Sequence, residues 1–171
     1  MLHGDQLSSC NGMSDRERDA VIFRDLLVGV DQALAEVDAV YEANGIARVE
    51  TTQIDAQMRI DPATGLRVEV CASKVLPFGI HETGAAVWNH YIFAKQRMPS
   101  RFYSYHSRTS TDATQDTIME DYVLQIHSKN TRGSFRVRKV SRRVVQDDRI
   151  VIVWRLFSDP LELSEQPLSG L

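Results

Sequence analysis

The first periodic stretch of the chain begins at Ser14, and its apolar positions recur every three or four residues. Glu17 follows Ser14 at the spacing of a capping box, and Asn44-Gly45 is typical of a helix that ends in a left-handed residue. The pattern therefore predicts an amphipathic N-terminal helix over residues 14–46. Because the spacing also fits a short heptad repeat, the helix either docks on its own domain or forms part of a coiled coil. The apolar positions are Phe23, Leu26, Leu27, Val30, Leu34, Val37, Val40 and Tyr41.

The period of the pattern changes to two after residue 50. Apolar and polar residues alternate from Gln53 to Ile60 and again from Leu66 to Val70, and Asp61-Pro-Ala-Thr-Gly65 separates the two runs. This alternation predicts a β-hairpin with one buried face and one solvated face. Pro77 closes the second strand.

Helical spacing returns after Pro77 and predicts a second amphipathic helix over residues 80–96, which Met98-Pro99 ends. Residues 100–115 are polar and aromatic without a clean period, so we expect a loop with at most one short element.

The remaining periodic part predicts three strands of an antiparallel meander, over residues 117–128, 134–145 and 150–157. The third strand is apolar on both faces, so it is either central or covered on each side. We expect Asp159-Pro160 to end the sheet, and residues 161–171 show no further element. Together these elements predict an α+β fold with a disordered tail at residues 1–13, an N-terminal helix at 14–46 and an α+β core at 47–171.

The composition narrows the class of protein. The chain has 171 residues, of which 43% are apolar and 25% are charged, as in a single soluble domain rather than a disordered or fibrous chain. No apolar run approaches the roughly 20 residues that span a bilayer, and the N-terminus lacks a secretory signal. Cys10 and Cys71 are therefore interpreted as free thiols in a reducing compartment, the cytoplasm or the nucleus.

Positive charge is concentrated in one predicted strand, although the net charge of the chain is -3. We consider three uses for this basic stripe: a solvated sheet face paired with neighbouring acids, contact with anionic lipid, and contact with nucleic acid. Nucleic acid is the least favoured partner, because the strand has too few aromatic residues for a stacking platform. The members of the stripe are Arg132, Arg136, Arg138, Lys139, Arg142 and Arg143.

Motifs that carry catalytic chemistry do not appear in the sequence. The five histidines lack the spacing of a zinc motif, and there is no phosphate-binding loop, nucleophile elbow or dinucleotide fingerprint. The adjacent pair Glu120-Asp121 points to opposite faces of a strand, so it does not suggest a general acid and base. We therefore predict a protein without catalytic residues, cofactor or metal.

Three charged residues lie within otherwise apolar strands, namely Glu69, Glu120 and Arg155. A buried charge is costly unless it is paired, so such groups mark the polar end of a cavity, form a structural ion pair or point outward. The pattern leaves these alternatives open.

Three stretches of the sequence resemble a known family. Val75-Leu-Pro-Phe78, Thr83-Gly-Ala-Ala-Val-Trp88, and the segment from Val140 to Arg155 with a proline five residues later are similar to START-like (StAR-related lipid-transfer) proteins of the type numerous in oomycetes. The resemblance covers residues 15–171 in order. It implies a helix-grip fold, in which a curved antiparallel sheet accompanies a long N-terminal helix and one internal helix.

The same resemblance implies a function, the non-enzymatic binding of a lipid, sterol or other hydrophobic small molecule in a cavity. Family members continue past the position of Leu171 with a strand and a C-terminal lid helix, so we expect that helix to be absent here and binding to be impaired. From periodicity we expect the cavity to be lined by Trp88, Tyr91, Tyr122, Leu124, Ile126, Ile152 and Trp154, with Glu120, Arg143 and Arg155 at its polar end. The alternative is an interaction or regulatory module that binds no small ligand and associates with itself through the N-terminal helix or an exposed sheet.

Overall fold

Two helices and six strands make up the part of the chain that the computed structural model describes, residues 14–46, 51–61, 65–93, 103–110, 116–127 and 131–165. The architecture is α+β, as the sequence predicts. The strands form two antiparallel sheets, a two-stranded sheet β1-β2 and a four-stranded sheet in the order β3-β4-β5-β6. The elements are α1 (Asp15–Ala43), β1 (Gln53–Asp61), β2 (Gly65–Ser73), α2 (Ile80–Ile92), β3 (Tyr103–Ser110), β4 (Thr117–His127), β5 (Thr131–Val145) and β6 (Ile150–Glu165).

The caps of α1 explain where this helix begins and ends. The backbone N–H of Glu17 donates to the Ser14 hydroxyl, and the Glu17 carboxylate accepts from the backbone N–H of Ser14 at 2.9 Å, which completes the predicted capping box. Hydrogen bonds from the backbone N–H and then the hydroxyl of Ser14 hold the pKa of Glu17 below its ordinary value. At the other end, Gly45 adopts a positive φ of 65° and the N–H of Ile46 donates to the carbonyl of Tyr41, as in a Schellman motif.

The two helices cover opposite faces of the four-stranded sheet. On the α1 face, Leu26 and Val30 pack against Val140 of β5, and Val30 and Val140 are fully buried. Since side chains alternate along a strand, the neighbouring residues Lys139 and Ser141 lie on the α2 face. The apolar stripe of α1 from Phe23 to Leu34 therefore packs within its own domain, whereas Val40 and Tyr41 at the end of the stripe are exposed.

Strand β3 lies in the segment for which the sequence predicts a loop with at most one short element. It pairs with β4 from Tyr103 opposite Leu124 to Ser110 opposite Ile118, and the register shifts between Tyr105 and Ser107. This irregularity places one extra residue in β3, so the alternation that marks a strand is broken in the middle. The predicted three-stranded meander is present as β4, β5 and β6, and β3 adds a fourth strand at the edge of the sheet.

Strand β6 runs through Asp159-Pro160 to Glu165, whereas the sequence predicts that the sheet ends there. Proline is tolerated because β6 is an edge strand that borders only β5. The register also shifts at this point, with Phe135 opposite Pro160 and Ser134 opposite Glu162. The strand thus continues past Pro160 with a bulge, where the sequence predicts that the strand ends.

The predicted hairpin is present as β1 and β2, but its apolar face is not buried. Ile54 pairs with Ala72 and Ile60 pairs with Leu66, in the register that places all apolar residues on one face. Their side chains are nevertheless exposed, because no described residue packs on that face. The expectation that one face of the hairpin is buried is therefore wrong for the described chain.

Several expectations fall on residues outside the described ranges. These include the tail at 1–13, the hairpin turn at 62–64, the stretch 94–100 with Met98-Pro99, and residues 166–171. The second helix ends at Ile92, with Phe93 as its C-cap, rather than at residue 96. Neither described helix combines the length and the apolar character that crossing a membrane requires.

Candidate functional site

A groove of about 440 Å³ opens between α2, the connection that follows β2 and the start of β6. Most of its lining is apolar, and two polar side chains, Lys74 and Thr83, also border it. The lining residues are Lys74, Leu76, Phe78, Ile80, Thr83, Gly84, Val87, Ile150 and Ile152.

Gly84 determines how closely α2 approaches the sheet. A Cβ atom at this position would overlap the end of the Ile150 side chain and would lie 3.3 Å from its Cβ. Only glycine at position 84 therefore allows α2 to pack this closely on Ile150. The contact between Gly84 and Ile150 forms one side of the groove. On the other side, Pro77 lies between Leu76 and Phe78, and both side chains are partly exposed along the groove.

An aromatic–cation cluster holds the other end of α2 on the sheet. The Arg143 guanidinium lies 5.3 Å from the ring centroid of Trp88, and the Lys139 ammonium lies 4.8 Å from that of Tyr91. Lys139 also donates to Glu120 at 3.3 Å. Trp88 and Glu120 are only 2% and 4% exposed, so these groups are occupied in attaching the helix to the sheet.

The aromatic–cation cluster thus contains four residues of the predicted cavity: Trp88, Tyr91, Glu120 and Arg143. Arg143 also forms an ion pair with Asp116 at 2.6 Å. This explains Glu120 as a structural ion pair, one of the alternatives that the sequence leaves open.

The other predicted site residues are spread over the sheet. Tyr122, Leu124 and Trp154 lie on the α2 face, where Trp154 is 48% exposed, and Ile152 lines the groove. Arg155 lies on the α1 face instead, against Gly29. The side chain of Ile126 lies outside the described residues.

The basic stripe is divided between the two faces of the sheet: Lys139 and Arg143 belong to the aromatic–cation cluster, whereas Arg136, Arg138 and Arg142 pair with acidic residues of α1. Arg136 and Arg138 of β5 alternate with Asp121, Asp19 and Asp159 in an ion-pair chain that also includes Arg18. The nitrogen to oxygen distances along the chain, from Asp121 through Arg136, Asp19, Arg138 and Asp159 to Arg18, are 2.6, 2.7, 2.9, 2.6 and 3.4 Å.

The ion-pair chain leaves these guanidiniums little freedom to bind phosphates. The Arg138 side chain is 3% exposed, and the hydrogen bond to Asp121 followed by the charges of Asp121 and Asp19 raises the pKa of Arg136. The pairing with neighbouring acids is confirmed, whereas the expected solvation of this face is wrong. Arg142 is paired in the same way with Asp31, and the side chain of Arg132 lies outside the described residues.

A second groove, of about 320 Å³, lies between the C-terminal half of α1 and the polar face of the hairpin. Arg59 and Glu69 border it, and they form an ion pair at 3.7 Å, so Glu69 also belongs to a structural pair. Among the described residues, no three His, Cys, Asp or Glu side chains come together as a metal site would require. Cys71 is a partly buried free thiol.

Sequence reasoning identified only Ile152 among the residues that line the first groove. The missed residues lie in the connection after β2, in α2 and at the start of β6. Periodicity does not mark the connection, because it is neither helix nor strand. A usable signal was the presence of Leu76 and Phe78 around a proline, since apolar residues in a short connection are stable only against another apolar surface.

Comparison of this chain with protein-family models, with curated proteins and with solved structures finds no match.

Proposed function

We propose that this protein binds a lipid, sterol or other hydrophobic small molecule without converting it, and that the groove beside α2 is the binding site. The observation that carries the proposal is a concave, largely apolar surface of about 440 Å³. Ligand pockets for small molecules have volumes of about 300–1,000 Å³ and few polar groups.

The family resemblance supports the same location. The three stretches similar to START-like proteins contribute Leu76 and Phe78, then Thr83, Gly84 and Val87, then Ile150 and Ile152 to the lining. Residues far apart in the chain thus converge on one groove. Because of this convergence, we also propose that the chain belongs to the START-like family and has its helix-grip fold.

Apolar burial would supply most of the binding free energy, at about 25 cal/mol for each Å² removed from water. Phe78 and Val87 are exposed along the groove, so a ligand covers apolar surface that is otherwise wet. Lys74 adds a positive charge at the border of the groove, where it orients a ligand that carries an acidic or strongly polar head group.

The direct experiment is native mass spectrometry of the full chain after incubation with a mixed lipid extract, followed by a fluorescence titration with cis-parinaric acid. We expect a discrete adduct, and we expect Val87→Trp to weaken binding of the probe by about tenfold or more because the larger side chain fills the groove. Val28→Trp is the matched control, because Val28 is also a half-exposed valine on a helix but lies outside the groove.

Two results would contradict the proposal. The first is a folded protein that forms no adduct with the extract and does not bind the probe. The second is unchanged affinity in Val87→Trp, which would place binding elsewhere on the molecule.

A further inference from the structure

The apolar face of the β1-β2 hairpin is a continuous exposed apolar surface. Every side chain on this face is apolar, and its six large members are between 58% and 85% exposed. The cross-strand pairs are Ile54 with Ala72, Ala56 with Val70, Met58 with Val68, and Ile60 with Leu66. We call this surface the hairpin face.

The opposite face of the hairpin is polar, and part of it lies across the second groove from the C-terminal half of α1. Gln57 donates to Asp55 at 2.9 Å, Arg59 pairs with Glu69, and the latter two border the groove beside α1. These polar contacts lie within the ribbon and pair the side chains of its polar face with one another. The hairpin face lies on the other side of the ribbon, and no described residue covers its large side chains.

The area of the hairpin face is close to what a specific interface needs. A fully exposed large apolar side chain offers roughly 100 Å² of apolar surface, so the partly exposed residues of this face together offer roughly 500 Å². Patches of this size on a soluble protein mark interaction sites. Two such faces in contact would remove roughly 1,000 Å² from water, which is the lower bound for a biological interface.

We propose that the hairpin face binds the hairpin face of a second copy of this chain, in a two-fold symmetric dimer. An isologous interface requires a patch that is compatible with itself, and a face without charged or polar side chains meets this condition. A partner with charged recognition groups would find nothing to pair with on it.

The sizes of the side chains specify how the two ribbons stack. Large residues lie near the turn end, at Ile60 and Leu66, and the small residues Ala56 and Ala72 lie toward the open end. When the ribbons run antiparallel, with the two-fold axis across the strands, Ala56 faces Met58 of the partner copy and Ala72 faces its Leu66. With the two-fold axis along the strands, each residue would instead face its own cross-strand partner in the other copy, which puts both alanines at the open end, Ala72 on Ile54 and Ala56 on Val70. The bulkier contacts, Met58 on Val68 and Ile60 on Leu66, would then lie together at the turn end, and the two faces would not pack evenly.

Sedimentation velocity of the full chain over about 1 to 200 µM tests the dimer, because interfaces at the small end of the size range are typical of weak complexes. We expect the sedimentation coefficient to rise from that of a monomer to that of a dimer. Val68→Lys should raise the Kd by about 100-fold or more, because it places an unpaired charge in the centre of the interface. The monomer should still fold, since Val68 is exposed there.

Val28→Lys is the matched control, because it makes the same change at an exposed valine on α1 and should leave the dimer intact. The antiparallel register is tested by mixing Val68→Lys with Val70→Glu, since positions 68 and 70 of the two copies face each other in that stack. The mixture should associate at least about tenfold more tightly than either variant alone, because each mixed dimer contains one oppositely charged pair. Circular dichroism checks that each variant is folded.

A wild-type chain that stays monomeric throughout the concentration range would overturn the dimer. So would a dimer that Val68→Lys leaves unchanged, or a monomer that instead binds phosphatidylcholine and phosphatidylserine vesicles through Val68. A mixture that associates no better than its components would overturn the antiparallel stack. The dimer and the proposed ligand binding are tested independently, because Val68→Lys leaves the groove intact and Val87→Trp leaves the hairpin face intact.

Discussion

Two glycines inside helices show how single residues control the contacts of the sheet. Gly29 lies in α1 where the side chain of Arg155 crosses the helix, and Gly84 lies in α2 where Ile150 of β6 approaches it. Both glycines weaken their helices by about 1 kcal/mol relative to alanine. The neighbours differ, however, since the exposed Arg155 side chain can swing away, whereas Ile150 is branched at an atom fixed to the strand.

Substitution by alanine should therefore change the free energy of unfolding differently at these two positions. Gly84→Ala should lower the free energy of unfolding by about 1–2 kcal/mol, because the overlap with Ile150 exceeds the gain in helix propensity. Gly29→Ala should leave the free energy of unfolding unchanged or raise it by up to about 1 kcal/mol. Urea denaturation of the two variants beside the wild type measures both values, and an equal change at the two positions would contradict this account of the contacts.

At the scale of elements, the ion-pair chain connects the first turns of α1 to three strands. Asp121 belongs to β4, Arg136 and Arg138 to β5, and Asp159 to β6, while Asp19 of α1 bridges the two arginines. A buried arginine is costly unless its charge is compensated, so the position of α1 on the sheet depends on this helix residue. Helix docking is thus determined by charge at one end and by Leu26 and Val30 further along.

Asp19→Asn should lower the free energy of unfolding by about 1–3 kcal/mol, because it leaves two adjacent guanidiniums with one carboxylate fewer. The control is Asp25→Asn on the same helix. The carboxylate of Asp25 pairs with Arg24, but both side chains are more than 60% exposed. We expect the control to change stability by less than about 0.5 kcal/mol. Equal losses in the two variants would mean that the ion-pair chain does not position the helix.

The pattern of the sequence predicts elements well where one period is uninterrupted, as in α1, the hairpin and β4. It fails where a bulge breaks the alternation, as in β3, and where an edge strand accepts Pro160. Burial is less predictable than the elements themselves, since alternation shows which side chains share a face but not what covers that face. The groove was missed for a related reason, because Leu76 and Phe78 lie outside any periodic element.

At the scale of the whole molecule, the described chain has two parts that differ in how deeply their side chains are buried. The four-stranded sheet is covered by a helix on each face, and Ile118 and Val140 are almost completely buried within it. The hairpin forms a two-stranded sheet of its own, and such a ribbon is marginally stable in water. The interface proposed for the hairpin face would therefore stabilise the β1-β2 hairpin, which few contacts within the described chain stabilise.

Hydrogen exchange should reveal this difference and its dependence on protein concentration. Amides of β4 and β5 should exchange slowly at every concentration, because they open only with the whole core. Amides of β1 and β2 should exchange quickly in dilute protein and more slowly at about 200 µM, in proportion to the dimer that mass action forms. Val68→Lys should remove this concentration dependence and leave the core amides unchanged. Hairpin amides that are as slow as the core in dilute protein would show that the ribbon is stable by itself, and its exposed face would then need no second copy to order it.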